Sequence, residues 1–217
     1  MSNTMINYEA LRDTKVNSDP FPFLVIPNFL CQEHLNEIVS DFPHIESRGS
    51  YPLKSLQYGE NFQKLIKELE SAELRAAIGR KLDMNLEDRP TLITVRGKTD
   101  KKDGHIHKDT KSKLVTLLLY FNSSWIEDGG RLRILRNNHD LDDYVTEIPP
   151  SLGTCLIFKV TDNCWHGHKV FSGIRRTIQL NYLTNEKELE KHLSRHGLSA
   201  KLKNIFQRLI HPAQYTE

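Results

Sequence analysis

Residues 104–122 read GHIHKDTKSKLVTLLLYFN and contain the longest apolar run of the chain, Leu114–Phe121. A membrane-spanning helix needs about 20 apolar residues, so this run is too short to cross a bilayer and has the length of a buried strand. His107 and Asp109 stand just before it. In extended backbone, residues i and i+2 point to the same side, so both side chains could face one metal ion.

Short segments rich in β-branched and aromatic residues continue on both sides of this stretch. The predicted strands are Leu92–Val95, Leu114–Phe121, Leu132–Leu135, Tyr144–Ile148, Thr154–Val160 and Thr177–Leu183. Turn residues separate them, as in Asp128-Gly129-Gly130 and Pro149-Pro150. Short strands at this spacing predict an antiparallel sandwich or barrel rather than a parallel sheet with crossover helices.

Helices are predicted on both sides of the β region, at residues 31–42, 59–82 and 185–211. In each, apolar residues recur at the three- and four-residue spacing of one helix face. The proline-bounded run Phe23–Ile26 predicts an edge strand. Residues 1–19 are polar and aperiodic, which predicts a loose N-terminal arm before a single domain at residues 20–217, with its β core at about residues 90–183.

Composition narrows the class of protein. Lys and Arg total 30 against 28 Asp and Glu, a net charge of +2, so we expect no nucleic-acid binding through bulk charge. The three cysteines, Cys31, Cys155 and Cys164, form no CxxC pair, which argues against a disulfide framework or a zinc–thiolate site. The first twenty residues lack the apolar core of a secretory signal. We therefore expect a cytoplasmic protein without a membrane span.

A third metal ligand beside His107 and Asp109 must come from another strand. The candidates are His166 and His168, in the segment Asp162-Asn-Cys-Trp-His-Gly-His168. Two imidazoles and one carboxylate on a small barrel form the ligand set that favours non-haem Fe(II) with open coordination positions.

Six motifs in a fixed order support this hypothesis. They are His107-x-Asp109, Lys113–Asn122, Gly129–Arg133, Pro150-x-x-Gly153 followed by Cys155–Phe158, Trp165-His166, and Gly173-x-Arg-Arg-Thr-x-Gln179. Together they resemble the 2-oxoglutarate/Fe(II)-dependent dioxygenases, specifically the prolyl-4-hydroxylase-like branch, over about residues 90–183. The resemblance implies a mainly β fold with flanking helices: a double-stranded β-helix core, also called a cupin-like jelly roll, with N- and C-terminal helices.

The resemblance also implies roles for individual residues. His107 and Asp109 match the first two iron ligands. The family places a basic residue nine or ten positions after the distal histidine, and from His166 those positions hold Arg175 and Arg176. From His168 they hold Thr177 and Ile178, so His166 is the predicted third ligand. His168, Arg96, Thr116 and Thr177 are then candidates for contacts around the ligands or with substrate.

Strand parity separates the two arginines. Arg175 shares one face of its strand with Thr177, Gln179 and Asn181, whereas Arg176 shares the other with Ile178, Leu180 and Tyr182. The polar face should line the barrel mouth and the apolar face should pack on helices. This favours Arg175 as the residue that binds the far carboxylate of 2-oxoglutarate, with Arg176 as the alternative. The resemblance adds Tyr120 as a second contact to that carboxylate.

The activity implied is hydroxylation of a C–H bond with Fe(II), 2-oxoglutarate and O2, ascorbate as a reductant, and release of succinate and CO2. A fold family does not determine the substrate. Residues 98–113 contain six lysines and three aspartates, and this local positive charge predicts an anionic substrate: a small molecule, a glycan-linked compound or a peptide.

Two alternatives come from other functional classes. A non-catalytic cupin-like module would bind a metal or ligand without oxygen chemistry, and loss of an iron ligand or of the basic residue would indicate it. Neither is missing here. An interaction protein would dock a partner on its apolar C-terminal face, Leu202–Ile210, but we expect that face to cover the sheet.

Overall fold

The computed structural model describes residues 4–194 of the chain. Within that range it contains the helices α1 (Tyr8–Asp13), α2 (Leu35–Ser40), α3 (Glu60–Leu69) and α4 (Ala72–Leu82). The strands are β1 (Phe23–Ile26), β2 (Tyr51–Pro52), β3 (Thr91–Thr99), β4 (Lys113–Tyr120), β5 (Leu132–Leu135), β6 (Tyr144–Ile148), β7 (Cys155–Lys159), β8 (His166–Gly167) and β9 (Gly173–Leu183). Residues 186–194 are also helical. The rest of the predicted segment 185–211, including Leu202–Ile210, lies outside the described residues.

The strands form two antiparallel sheets. The larger sheet has the order β1-β7-β4-β9-β3-β2, and the smaller has the order β6-β5-β8. One apolar cluster lies between the sheets and includes Tyr120, Leu132, Leu156 and Phe158. A second cluster joins the outer face of the larger sheet to the helices. The predicted fold class is confirmed: a mainly β jelly-roll core with flanking helices.

Alternation along β4 and β9 assigns their side chains to these two environments. Val115, Leu117 and Leu119 pack against the helices, as do Ile178, Leu180 and Tyr182 of β9. The intervening residues turn toward the smaller sheet, because successive side chains of a strand point to opposite faces. The predicted division of β9 into an apolar helix-facing side and a polar inner side is confirmed.

The helices begin and end where local sequence signals predict. Ser71 caps α4, and its hydroxyl accepts a hydrogen bond from the backbone N–H of Leu74 at 3.1 Å. The apolar stripe of α3, formed by Phe62, Leu65, Ile66 and Leu69, is buried. Phe23–Ile26 is the edge strand that the flanking prolines predict. The two-residue strands β2 and β8 were not predicted, because two residues show no periodicity.

The prediction of a loose arm at residues 1–19 is wrong for its described part. Met5, Ile6 and Leu11 are buried in the helix-side core, and Leu11 is 1% exposed. The Glu68 carboxylate accepts hydrogen bonds from the backbone N–H groups of Met5 and Ile6 at 2.9 and 3.1 Å. Three buried residues in a six-residue helix and its lead-in are too few to give a helical pattern. That residues 20–217 form one domain stays a prediction.

No helix among residues 4–194 combines the length and the apolar character that crossing a lipid bilayer requires.

The burial of Leu11 predicts that the N-terminal segment contributes to stability. Leu11→Ala removes a fully buried side chain and should lower the free energy of unfolding by about 2–5 kcal/mol. Urea denaturation measures this change. Arg12→Ala, which alters a side chain 68% exposed, is the matched control and should change it little. Equal stability of the two variants would show that the segment is an arm after all.

Candidate metal centre and its cavity

A cavity of about 360 Å³ lies between the two sheets. Its walls come from β3, β4 and β9 of the larger sheet, from β5 and β8 of the smaller one, and from the loop between β3 and β4. Most of the predicted site residues line it: Arg96, His107, Asp109, Thr116, His166, His168, Arg175 and Thr177. Tyr120 and Arg176 are not among the lining residues.

A short antiparallel bridge brings the three predicted metal ligands together. The backbone N–H of His107 donates to the carbonyl of His166, and the N–H of His166 donates to the carbonyl of His107, both at 2.9 Å. Asp109 follows two residues later on the same side. The potential ligand atoms of His107, Asp109 and His166 lie within 4.8 Å of one another, close enough to hold one metal ion.

The two histidines present the correct nitrogen. Nδ1 of His107 lies 2.8 Å from the carbonyl oxygen of His105, and Nδ1 of His166 lies 2.8 Å from that of Cys164. A carbonyl only accepts, so each Nδ1 carries the proton and each Nε2 is free to bind a metal. Burial, aided by the nearby charge of His107, lowers the pKa of His166 to about 4. Its imidazole is therefore neutral at pH 7, the form that binds metals.

Asp109 supplies the negative charge. Burial raises the pKa of its carboxyl group, but the positive charge of Lys113, the proximity of His166 and hydrogen bonds from Lys113 and Thr116 outweigh this, so the pKa lies below its ordinary value. The Lys113 ammonium lies 2.8 Å from Oδ1, and the Thr116 hydroxyl lies 2.5 Å from Oδ2. Asp109 is therefore ionised and oriented on both of its oxygens.

Gly104 allows the ligand loop to approach β8. Its φ is +91°, and a Cβ atom placed there would lie 2.4 Å from Nδ1 of His168. The backbone N–H of His168 donates to the Gly104 carbonyl at 2.9 Å. Burial lowers the pKa of His168 to about 4, yet His168 is not part of the three-residue ligand cluster. It forms the cavity wall against which Gly104 packs.

The buried guanidinium of Arg175 lies at another part of the cavity. Arg175 is 6% exposed, and its Nε donates to the Gly130 carbonyl at 2.8 Å. Within residues 4–194 no carboxylate forms an ion pair with it. Thr177 and Tyr120 lie opposite each other on β9 and β4. The buried Thr177 hydroxyl has no hydrogen-bond partner in this range, and the Arg175 guanidinium lies 5.2 Å from the centroid of the Tyr120 ring. A buried guanidinium beside two buried hydroxyl groups is suited to binding a carboxylate.

Arg176 points the other way. Its guanidinium lies over the Phe42 ring, 5.6 Å from the ring centroid, on the helix side of the sheet. Its backbone N–H donates to the Asn122 side chain at 2.9 Å. The proposal of Arg176 as a co-substrate residue conflicts with this position, because adjacent residues of a strand face opposite sides.

The sequence indicated Arg96 and the inward face of Asn181, but Ser50, Asp103 and Lys113 were missed as residues of the site. Arg96 donates to Asp103 at 2.8 Å and to the Ser50 hydroxyl at 3.2 Å, which ties the ligand loop to β3. Lys113 and Asn181 surround Asp109 through direct and indirect hydrogen bonds. Asn181 carried a usable signal, since a polar residue within an apolar strand predicts a buried hydrogen bond. Ser50 and Asp103 carried no such signal, because their place in the site depends on contacts between segments that are separated in the sequence.

Comparison with known proteins identifies this arrangement. Residues 95–183 match the family model described as the 2OG-Fe(II) oxygenase superfamily. Over this region, which is less than half of the chain, the protein is similar to that superfamily. The matched region holds the whole ligand cluster and Arg175, and 2OG-Fe(II) oxygenases use Fe(II) with 2-oxoglutarate. Two imidazoles with one carboxylate fit Fe(II), and the Arg175 end of the cavity fits a carboxylate of 2-oxoglutarate.

Solved structures share the fold of this chain. A prolyl-4-hydroxylase from Pseudomonas putida is 16% identical, with 84% of this chain and 96% of that chain covered and a TM-score of 0.56. A prolyl hydroxylase from Trichoplax adhaerens, in complex with a hypoxia inducible factor oxygen degradation domain peptide fragment, is 18% identical, with coverage of 83% and 90% and a TM-score of 0.51. At these identities the likeness establishes the fold. No curated protein matches the chain.

The ligand cluster predicts distinct behaviour for two residues that both line the cavity. Asp109→Ala should abolish binding of one Fe(II) per chain, because it removes the only carboxylate of the three-residue cluster. His168→Ala should retain most of the binding. Anaerobic titration with Fe(II) measures both variants. Loss of binding on changing His168, with retention on changing His166, would overturn the ligand assignment.

Proposed function

We propose that this oxygenase is a cytoplasmic hydroxylase of an anionic substrate, and that it couples hydroxylation to conversion of 2-oxoglutarate and O2 into succinate and CO2. Ascorbate would keep the iron reduced. The observation that carries the proposal is the presence, in one cavity, of the His107–Asp109–His166 cluster and of the unpaired, buried Arg175.

The protein's part in this reaction is to position the reactants. Fe(II) held by the three ligands would supply the activation of O2, with coordination positions left for 2-oxoglutarate. Arg175 would bind the far carboxylate of 2-oxoglutarate, and the hydroxyls of Tyr120 and Thr177 would donate to the same group. Because burial removes competing water, these charge-assisted hydrogen bonds are stronger than they would be at the surface.

The charges of the cavity favour an anionic substrate. Its lining contains the cations Arg96, Lys102, Lys113 and Arg175 and the carboxylates of Asp103 and Asp109. The two charges of Fe(II) and those of the 2-oxoglutarate dianion offset each other, so the loaded cavity keeps its positive excess. A positive cleft attracts anions and raises their local concentration.

Lys102 is the residue best placed to meet the substrate's anionic group. Arg96 pairs with Asp103 and Lys113 pairs with Asp109, whereas Lys102 is exposed and forms no ion pair within the described residues. The lysine-rich segment as a whole does not face the cavity, because Lys108 and Lys111 pair with Asp162 at the surface. Of the lysines in residues 98–113, Lys102 and Lys113 line the cavity, and of these two only Lys102 forms no ion pair within the described residues.

Succinate formation tests the proposed reaction directly. The protein with Fe(II), 2-oxoglutarate, ascorbate and O2 is incubated with phosphorylated or carboxylated metabolites, glycan-linked acids or acidic peptides, and succinate is quantified. We expect stimulation by a compound of the anionic group together with its mass increase by one oxygen atom. Absence of succinate under every condition, with metal binding intact, would favour the non-catalytic cupin-like module.

Arg175 and Arg176 form a matched pair for testing the co-substrate contact. Arg175→Ala should raise the KM for 2-oxoglutarate by about one to two decades, as expected for the loss of roughly 1.5–3 kcal/mol of charge-assisted hydrogen bonding. Tyr120→Phe should have a smaller effect. Arg176→Ala should leave this KM nearly unchanged, since its side chain lies on the helix side. A large effect at Arg176 alone would contradict the observed orientation of β9.

Lys101 and Lys102 provide the corresponding test for the substrate. Lys102→Gln should lower kcat/KM for the anionic substrate about tenfold without changing the KM for 2-oxoglutarate. Lys101 does not line the cavity, so Lys101→Gln should have little effect on either quantity. The wild-type kcat/KM should also fall as the ionic strength rises past about 0.1 M. A neutral substrate turned over at a rate indifferent to salt would contradict this part of the proposal.

A further inference from the structure

The carboxylate of Asp109, a candidate metal ligand, is held in place by groups outside the three-residue ligand cluster. The side chains of Lys113 and Asp109 are 12% and 9% exposed, and their ion pair measures 2.8 Å. Lys113 is four residues beyond Asp109, at the first position of β4. β4 lies inside the larger sheet, and the backbone of Lys113 pairs with Leu183 of β9, so the sheet fixes the point from which the lysine side chain extends.

The second carboxylate oxygen is fixed by a directed chain of hydrogen bonds. The side-chain amide of Asn181 on β9 donates to Oγ1 of Thr116 at 2.9 Å, across the register pair that joins the two strands. With its oxygen accepting from Asn181, the Thr116 hydroxyl is free to donate its proton to Oδ2 of Asp109. Thr116 and Asn181 are 1% and 2% exposed, so water cannot easily replace either bond.

We propose that Lys113 is a positioning residue of the metal centre, acting together with the Thr116–Asn181 pair. This inference rests on the proposed function, since it assigns Asp109 to the metal. Lys113 would hold the buried carboxylate correctly rotated before the metal arrives. A carboxylate oxygen has more than one acceptor site, so Oδ1 and Oδ2 can keep these bonds while one of them binds the ion.

Electrostatics and positioning predict opposite results when Lys113 is removed. A nearby positive charge repels a divalent cation, so loss of the charge alone would strengthen metal binding. Loss of an orienting contact to a metal ligand instead weakens binding, typically by about 10–100-fold. An increase or a decrease in metal affinity therefore distinguishes a nearby charge without an orienting role from a positioning residue.

The test is calorimetric titration of Mn(II) into the metal-free protein, without 2-oxoglutarate or substrate. Lys113→Met should weaken Mn(II) binding about 10–100-fold. Lys113→Arg should retain most of the wild-type affinity for Mn(II), because a guanidinium can also donate to Oδ1 of Asp109. Lys111→Met removes the same charge from a lysine that pairs with Asp162 at the surface, and it should leave the affinity unchanged.

Two controls keep the result interpretable. Thermal unfolding of each metal-free variant reports whether the variant folds. If Lys113→Met does not fold, the near-isosteric Thr116→Val replaces it in the test, and the same weakening of Mn(II) binding is expected. Equal or tighter Mn(II) binding by folded Lys113→Met would overturn the inference. Failure of the wild-type protein to bind Mn(II) would instead count against the proposed metal centre itself.

Discussion

The metal centre depends on one pair of backbone hydrogen bonds, between His107 and His166. These residues lie 59 positions apart in the chain, and their antiparallel bridge joins the loop that carries Asp109 to the short strand β8. The bridge fixes both imidazoles on one side, and the carbonyls of His105 and Cys164 then turn each ring so that Nε2 faces the gap. Gly104 is required here because any side chain would collide with His168.

The strands that build the core also build the cavity. On β4 and β9 one set of alternate residues packs against the helices, and the other set includes the cavity-lining Thr116, Arg175 and Thr177. Burial against the helices therefore fixes the register of the cavity-facing side chains, since a shift by one residue would exchange the two sets. Stability and site geometry are linked through the same two strands.

Much of the fold and of the candidate site was predictable, because these features depend on the local order of residues in the sequence. The His107-x-Asp109 spacing, the apolar run of β4 and the parity of β9 predicted two neighbouring candidate ligands, a buried strand and the inward face of Arg175. The ordered motifs, through their resemblance to a known family, predicted the jelly-roll core and His166 as the third candidate ligand. Contacts that depend on distant segments were not predictable. The pairing of Arg96 with Asp103, the exposure of Lys102 and the surface pairing of Lys111 with Asp162 are set by how loops fold back. The burial of Met5, Ile6 and Leu11 was missed because three buried residues are too few to give a helical pattern.

The central claim is that one cavity holds an iron centre and, apart from it, an anchor for 2-oxoglutarate. Anaerobic calorimetric titration of 2-oxoglutarate, with and without Fe(II), tests both parts together. Because the co-substrate would bind the metal at one end and Arg175 at the other, we expect one 2-oxoglutarate per chain, bound much more tightly when Fe(II) is present. Binding of equal strength without Fe(II), or no binding with it, would contradict the account.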